Sequence, residues 1–153
     1  MLTVSDSVFQ GKRRDGSGPA VVERLQQSGW TIVHTRVLAD DMAVIAATLR
    51  ELCAQNIEAI LTTGGTGAAP RDVTPEATRK VITREVPGLP EQMRREGAKT
   101  TPTAILSRGT AGISGRSLIV NLPGSPQGAV DSLNAILGVL PHIVELITGG
   151  NPH

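Results

Sequence analysis

The chain has 153 residues, a formal net charge of +1 from 15 basic and 14 acidic side chains, and a length that suits one domain over 1–153. A domain of that size buries about 70% of the surface its unfolded form exposes. The near-neutral balance gives no basic field for nucleic acid or an anionic membrane, and Phe9 and Trp30 are too few aromatics to form platforms for stacked bases.

In chain order the pattern alternates strand and helix. Leu2 to Val4 is a short apolar start, followed by a loop rich in glycine and charge. Ser17 is then expected to cap a helix with Pro19 in its first turn, with Val21, Val22 and Leu25 on its apolar face and Gly29 as its stop. Thr31 to Leu38 is rich in β-branched residues and reads as a strand. Asp40 and Asp41 lead into a helix with Val44, Ile45, Leu49 and Leu52 at helical spacing, and Ile57, Ile60 and Leu61 mark the next strand. Beyond it, Thr74-Pro75 reads as a cap and first turn of a helix running to about Arg84, and Pro87-Gly88 breaks the chain before a short helix with Met93. Ile105-Leu106 and Ser117 to Leu122 read as strands. The Pro-Gly-Ser-Pro turn at 123–126 opens a helical region with Ala129, Leu133, Ile136, Leu137, Leu140 and Val144 on one stripe, kinked or divided by Pro141.

This alternation predicts a three-layer α/β/α domain with a mostly parallel sheet. Ligands of such sheets bind at the carboxyl ends of strands. Four loops leave strand ends here: Ser5-Asp6, Asp40, Gly64 to Gly67, and Asn121 to Ser125. A parallel sheet brings them to one edge.

Residues 62–75, TTGGTGAAPRDVTP, carry the most chemistry. Gly64, Gly65 and Gly67 allow positive φ and leave amide donors uncovered, a concave run that favours a phosphate. No Lys follows the last glycine, so this is not a Walker A loop. Asp72 adds a carboxylate where a metal or a phosphoryl transfer uses one. A tight strand-to-helix turn is the plain alternative for the whole stretch. Cys53 is the only cysteine, so no disulfide forms within the chain, and its place beside Leu49 and Leu52 marks a small buried hydrophobe. His34, His142 and His153 form no nucleophilic set with Ser and Asp. With neither a signal-like segment nor a bilayer-length apolar run, the expected location is the cytoplasm.

Six segments in order carry a resemblance: TVSD at 3–6, DGSG at 15–18, TTGGTG with RDVTPEAT at 71–78, VPGLPEQMR at 86–94, PTAILSR at 102–108 and LIVNLPGSP at 118–126. Together they resemble the molybdopterin adenylyltransferases, the MogA/MoaB group, including the corresponding domains of gephyrin and of the plant molybdenum-cofactor enzyme. The resemblance implies a trimer acting late in molybdenum-cofactor synthesis. It implies that Mg-ATP adenylylates the molybdopterin phosphate, that pyrophosphate leaves, and that the product passes to a molybdenum-insertion enzyme. ATP with Mg²⁺ is then a substrate, and no permanently bound cofactor is expected.

By the same resemblance, Asp40 and Asp72 are the catalytic pair and the carboxylates that meet Mg²⁺ of Mg-ATP. Gly64, Gly65, Thr66 and Gly67 bind phosphate. Ser107 contacts the pterin, Ser5 and Asp6 line the same pocket, and Asn121 with Pro123, Gly124 and Ser125 completes it. Helix capping remains the alternative role for Asp40, with Asp41 the neighbour better suited to cap. A turn role remains open for Ser107 and for the 123–125 segment. Lys12-Arg13-Arg14 is more basic than the family's usual loop, which leaves triphosphate contact or plain solvation. Two other functions stay open beside adenylyl transfer: a molybdopterin carrier or scaffold without transferase activity, and an enzyme of the same fold acting on another nucleotide.

Overall fold

In a computed structural model, residues 1–150 are described, and His153 lies outside them. The strands are β1 (Leu2–Val4), β2 (Arg36–Leu38), β3 (Ala59–Thr63), β4 (Arg84–Glu85), β5 (Ala111–Ser114) and β6 (Ser117–Leu122). The α-helices are α1 (Asp6–Phe9), α2 (Ser17–Gln27), α3 (Met42–Ala54), α4 (Thr74–Arg79), α5 (Gly88–Ala98), α6 (Pro126–Ile136) and α7 (Leu140–Thr148), with a 3₁₀ turn at Pro102–Leu106.

The sheet order is β2-β1-β3-β6-β5-β4. β2, β1, β3 and β6 are mutually parallel, whereas β5 and β4 join as an antiparallel edge. Side chains alternate across the central strands, as the two-residue period of a strand requires. Leu61, Leu118, Val120 and Leu122 meet Val21, Leu25, Met93, Leu133 and Ile136 on one face. Ile60 and Ile119 meet Ile45, Leu49, Leu52 and Ala77 on the other. These are the expected three layers, with α2, α5 and α6 on one side and α3 and α4 on the other. Leu49, Leu118 and Leu133 are fully buried, and each such side chain contributes about 1.5–3 kcal/mol. Among the described residues no single helix is long and apolar enough to cross a membrane; α6 and α7 meet at 65° with Pro141 in the first turn of α7.

Several boundaries differ from the sequence reading. The 31–38 stretch is a strand only over Arg36–Leu38, paired with Leu2–Val4, and before it His34 O accepts a single bond from the Met1 amino group at 2.8 Å. Ile105 and Leu106 lie in the 3₁₀ turn that Pro102 opens, 62% and 63% exposed, and the strand falls later at Ala111–Ser114. The helix expected to reach Arg84 ends at Arg79, since Thr83 and Val86 donate instead to Ile113 and Ala111 of β5. Capping also moves. Ser17 is the first helical residue of α2, and the Asp15 carboxylate accepts from Gly18 N at 3.0 Å. Thr74 opens α4 from inside, its hydroxyl donating to Gly64 O at 2.9 Å.

Candidate functional site

Parallel pairing of β1, β2, β3 and β6 delivers the loops after them to one edge of the sheet. The first two loops lock together. Asp6 N donates to Asp40 Oδ2 at 2.8 Å, and Asp40 N donates to Asp6 Oδ1 at 2.9 Å. Asp41, not Asp40, caps α3, accepting from Ala43 N and Val44 N. Asp40 is therefore placed by its neighbour loop and keeps Oδ1 toward the cavity, while the Asp6 carboxylate serves that placement.

The elbow after β3 differs in detail from the expected open cradle. Gly64 and Gly65 have φ of 90° and 63°, where only glycine is unstrained, but Gly67 does not have positive φ. Glycine at 67 answers a close approach instead: a Cβ there would lie 2.7 Å from Asp72 Oδ2. The Gly64 amide is not free, because it donates to Leu122 O at 3.2 Å. The amides of Gly65, Thr66 and Gly67 have no acceptor among the described residues, so the anion-ready part of the elbow is its second half. Asp72 closes a turn with Ala69, whose amide donates to Asp72 Oδ2 at 2.9 Å.

Arg108 was not singled out by sequence, although it follows Ser107 directly. Its backbone amide donates to Thr66 O at 2.8 Å, and its Nε donates to Gly67 O at 2.7 Å. Its two Nη groups reach Asp72 O and the Glu76 carboxylate. One guanidinium thus ties the elbow, the Asp72 segment and α4 to the Ser107 loop. The hydrogen bond from Arg108 holds the Glu76 carboxyl below the usual range, with burial opposing it. Arg94 Nη1 secures the same loop through Ser107 O and Gly109 O, both at 3.3 Å.

Asn121 does not complete the pocket. Its side chain is buried, donating to Thr62 Oγ1 at 3.1 Å and Thr78 Oγ1 at 2.9 Å and accepting from Thr110 N at 3.2 Å. Both its amide hydrogens go to β3 and α4 and its oxygen accepts from Thr110, so the side chain is committed inside the fold and lines neither of the cavities at this edge.

The remaining residues divide between two adjoining cavities. The first, of about 560 Å³, is lined by Ser5, Asp40, Gly64, Gly65 and Asp72, together with Arg13, Arg14 and Arg71. The second, of about 510 Å³, is lined by Thr66, Gly67, Ser107 and Pro123, with Met93 and Arg94 on its far side. Gly124 and Ser125 belong to both. The elbow is therefore a ridge, with Gly64-Gly65 on one slope and Thr66-Gly67 on the other. Ser5 falls on the carboxylate slope, away from Ser107, so the residues grouped by sequence as one pocket line two. Ser125 accepts from Gly128 N at 3.2 Å and caps α6 at their common wall. Among the described residues no cluster of three His, Cys, Asp or Glu side chains is placed to hold a metal by itself.

Comparison with known proteins places this edge in context. Residues 1–142 match the family model described as "Probable molybdopterin binding domain". The chain is 41% identical over 152 residues to the molybdopterin adenylyltransferase of Helicobacter pylori strain J99, covering 97% of this chain and 86% of that protein. The Escherichia coli K12 molybdopterin adenylyltransferase is 38% identical, over 97% of this chain and 84% of its own. The crystal structure of the molybdopterin biosynthesis enzyme MoaB from Thermus thermophilus superposes with a TM-score of 0.92 at 50% identity, covering 97% of this chain and 94% of that one.

Proposed function

The chain belongs to the family of probable molybdopterin-binding domains, and from that membership we propose that it transfers the adenylyl group of Mg-ATP to the phosphate of molybdopterin, releasing pyrophosphate. The observation that carries the reading is the pair of cavities, about 560 and 510 Å³, meeting at Gly124-Ser125. Two substrates of this size need separate walls and one shared point of approach, and orientation of that kind supplies much of the barrier reduction in a two-substrate transfer.

In this assignment the nucleotide lies on the Asp40–Asp72 slope and the pterin on the Ser107 slope, with its phosphate toward the common wall. A molybdopterin phosphate oxygen attacks the α-phosphorus of ATP. The bond from that phosphorus to the bridging oxygen breaks, and the oxygen leaves with its electron pair as part of pyrophosphate. The reaction needs charge neutralisation and alignment, not a covalent nucleophile. Asp40 Oδ1 and Asp72 Oδ1 are the oxygens that meet Mg²⁺, which enters as part of the Mg-ATP substrate. The free amides at Gly65, Thr66 and Gly67 hold phosphate oxygens along the ridge. Ser107 Oγ, which accepts only a 3.3 Å bond from Gly109 N, offers its hydroxyl to the pterin.

The same proposal has the chain working as a homotrimer in the cytoplasm and passing adenylylated pterin to a molybdenum-insertion enzyme. Incubation of the protein with Mg-ATP and molybdopterin, following adenylylated pterin and pyrophosphate, tests the central claim. Product dependent on Asp72 supports the transferase; tight pterin binding with no product makes the chain a carrier. Light scattering on the eluting protein decides the trimer.

A further inference from the structure

The carboxylate cavity has a second lining that this assignment leaves without a role. Arg13 and Arg14 reach it from the loop between α1 and α2, and Arg71 reaches it from the residue before Asp72. Arg24, Arg36, Arg79, Arg94 and Arg108 all bond to the protein. The guanidinium groups of Arg13, Arg14 and Arg71 make no hydrogen bond or ion pair with another described residue. These three exposed guanidinium groups share the cavity with Asp15, Asp40 and Asp72, and with no ion-pair partner of their own they are available to a polyanion.

The loop that carries the first two is fastened at both ends. The amides of Lys12 and Arg13 donate to Ser7 O at 2.8 and 3.0 Å. Asp15 Oδ2 accepts from Thr3 Oγ1 at 2.6 Å, and Oδ1 accepts from Gly18 N. A Cβ on Gly16 would lie 3.0 Å from Pro126 Cγ, so the loop is seated on the first turn of α6. Both Asp15 oxygens accept from the chain itself, and neither pairs with an arginine. Asp40 and Asp72 each keep one oxygen. The cavity thus pairs cationic forks with hard carboxylate oxygens, the combination that suits a metal-chelated polyphosphate.

We infer that Arg13, Arg14 and Arg71 grip the β- and γ-phosphates of the nucleotide, so that the cavity retains pyrophosphate after transfer and the inorganic product competes with ATP. This rests on the adenylyl-transfer reading above. As the bond from the α-phosphorus breaks, negative charge gathers on the departing β-phosphate oxygen, where guanidinium groups already stand. A product held this way makes net flux depend on a reaction of the hydrolytic class that removes pyrophosphate.

Calorimetric titration of the whole protein with Mg-pyrophosphate, with neither ATP nor pterin present, tests this directly. Wild type binds saturably, and Arg13→Ala/Arg14→Ala weakens binding about tenfold to a hundredfold, the range for losing charge-assisted contacts. The same double variant raises the KM for ATP and the inhibition constant of pyrophosphate together, while pterin affinity measured by fluorescence stays as in wild type. Arg13→Lys/Arg14→Lys, which keeps charge without the fork, falls between the two. Mg-pyrophosphate binding of equal strength in the Ala variant and wild type overturns the inference, as does a wild type that makes adenylylated pterin without binding pyrophosphate. Failure of wild type to bind pterin or form product defeats the adenylyltransferase reading instead; the pyrophosphate titration needs neither and still decides the arginines.

Discussion

The two halves of the sheet feed the same edge by opposite routes. In the parallel half, β1, β2, β3 and β6 each end there, so the residues that follow them arrive: Ser5, Asp40, Gly64 and Gly124. In the antiparallel half β5 runs the other way, so the residues that precede it arrive: Ser107, Arg108 and Gly109. The chemistry divides along the same line. The parallel half supplies the carboxylates and the glycine elbow, and the antiparallel half supplies a hydroxyl and a guanidinium that ties the halves together. A mixed sheet can thus build one site from loops of both chain senses, at the cost of a bolt such as Arg108 to keep them in register.

The largest expected effect lies on the parallel side. Asp72→Asn lowers turnover about a thousandfold while leaving pterin affinity nearly intact, as loss of the carboxylate proposed to meet Mg²⁺ of Mg-ATP should. Steady-state kinetics beside pterin titration decides it, and equal large losses in both sink the assignment. Next comes Gly64→Ala. The position has φ 90°, and the added Cβ would stand 2.2 Å from Val4 O, a backbone atom with no room to move. About 3 kcal/mol or more of stability is lost, read as a fall in the urea midpoint. On the antiparallel side Ser107→Ala weakens pterin binding by about tenfold. Unchanged affinity returns Ser107 to a turn role. Gly115, in the β5–β6 hairpin, also has positive φ, 57°, but open space around it. Gly115→Ala therefore costs only about 1–2 kcal/mol, the backbone term without the clash. A cost equal to that at Gly64 shows that φ alone, and not the close approach, governs both.

The smallest effect concerns the bolt. Arg108 and Glu76 are 38% and 40% exposed, so solvent screens their pair and it contributes less than about 1 kcal/mol. Its pH dependence has a definite sign. The Glu76 carboxyl is lowered in the folded protein by the Arg108 hydrogen bond, so its stabilisation is full above the ordinary glutamate range and is lost as pH falls through the depressed value. The urea midpoints of wild type and Glu76→Gln differ most at neutral pH and converge in acid. A gap that widens in acid reverses the assignment.

The parallel half was legible because it obeys a simple rule: an apolar run, then a loop of Gly or Asp, then a helix. Ser117–Leu122 and Leu2–Val4 were read at their true bounds. The antiparallel half gave the wrong signal for physical reasons. β5 is Ala-Gly-Ile-Ser, with one large apolar side chain, and β4 is Arg84–Glu85, both exposed, so neither has a two-residue pattern to find. Ile105 and Leu106 look like a strand and are instead exposed in the 3₁₀ turn that Pro102 opens, with Leu106 on the wall of the second cavity. At the site, residue types pointed to Asp40, Asp72 and the elbow. They could not tell that Asn121 would turn inward to Thr62, Thr78 and Thr110, which depends on side-chain direction across β6, or that the elbow would divide one pocket into two, which depends on how the loops pack.

The two carboxylates have a further consequence through the amides bound to them. Asp40 Oδ2 accepts from Asp6 N and Asp72 Oδ2 from Ala69 N, while Oδ1 of each accepts no hydrogen bond from another described residue. Two main-chain N–H groups, one from the loop after β1 and one from the turn before Asp72, thus set the orientation of both carboxylates.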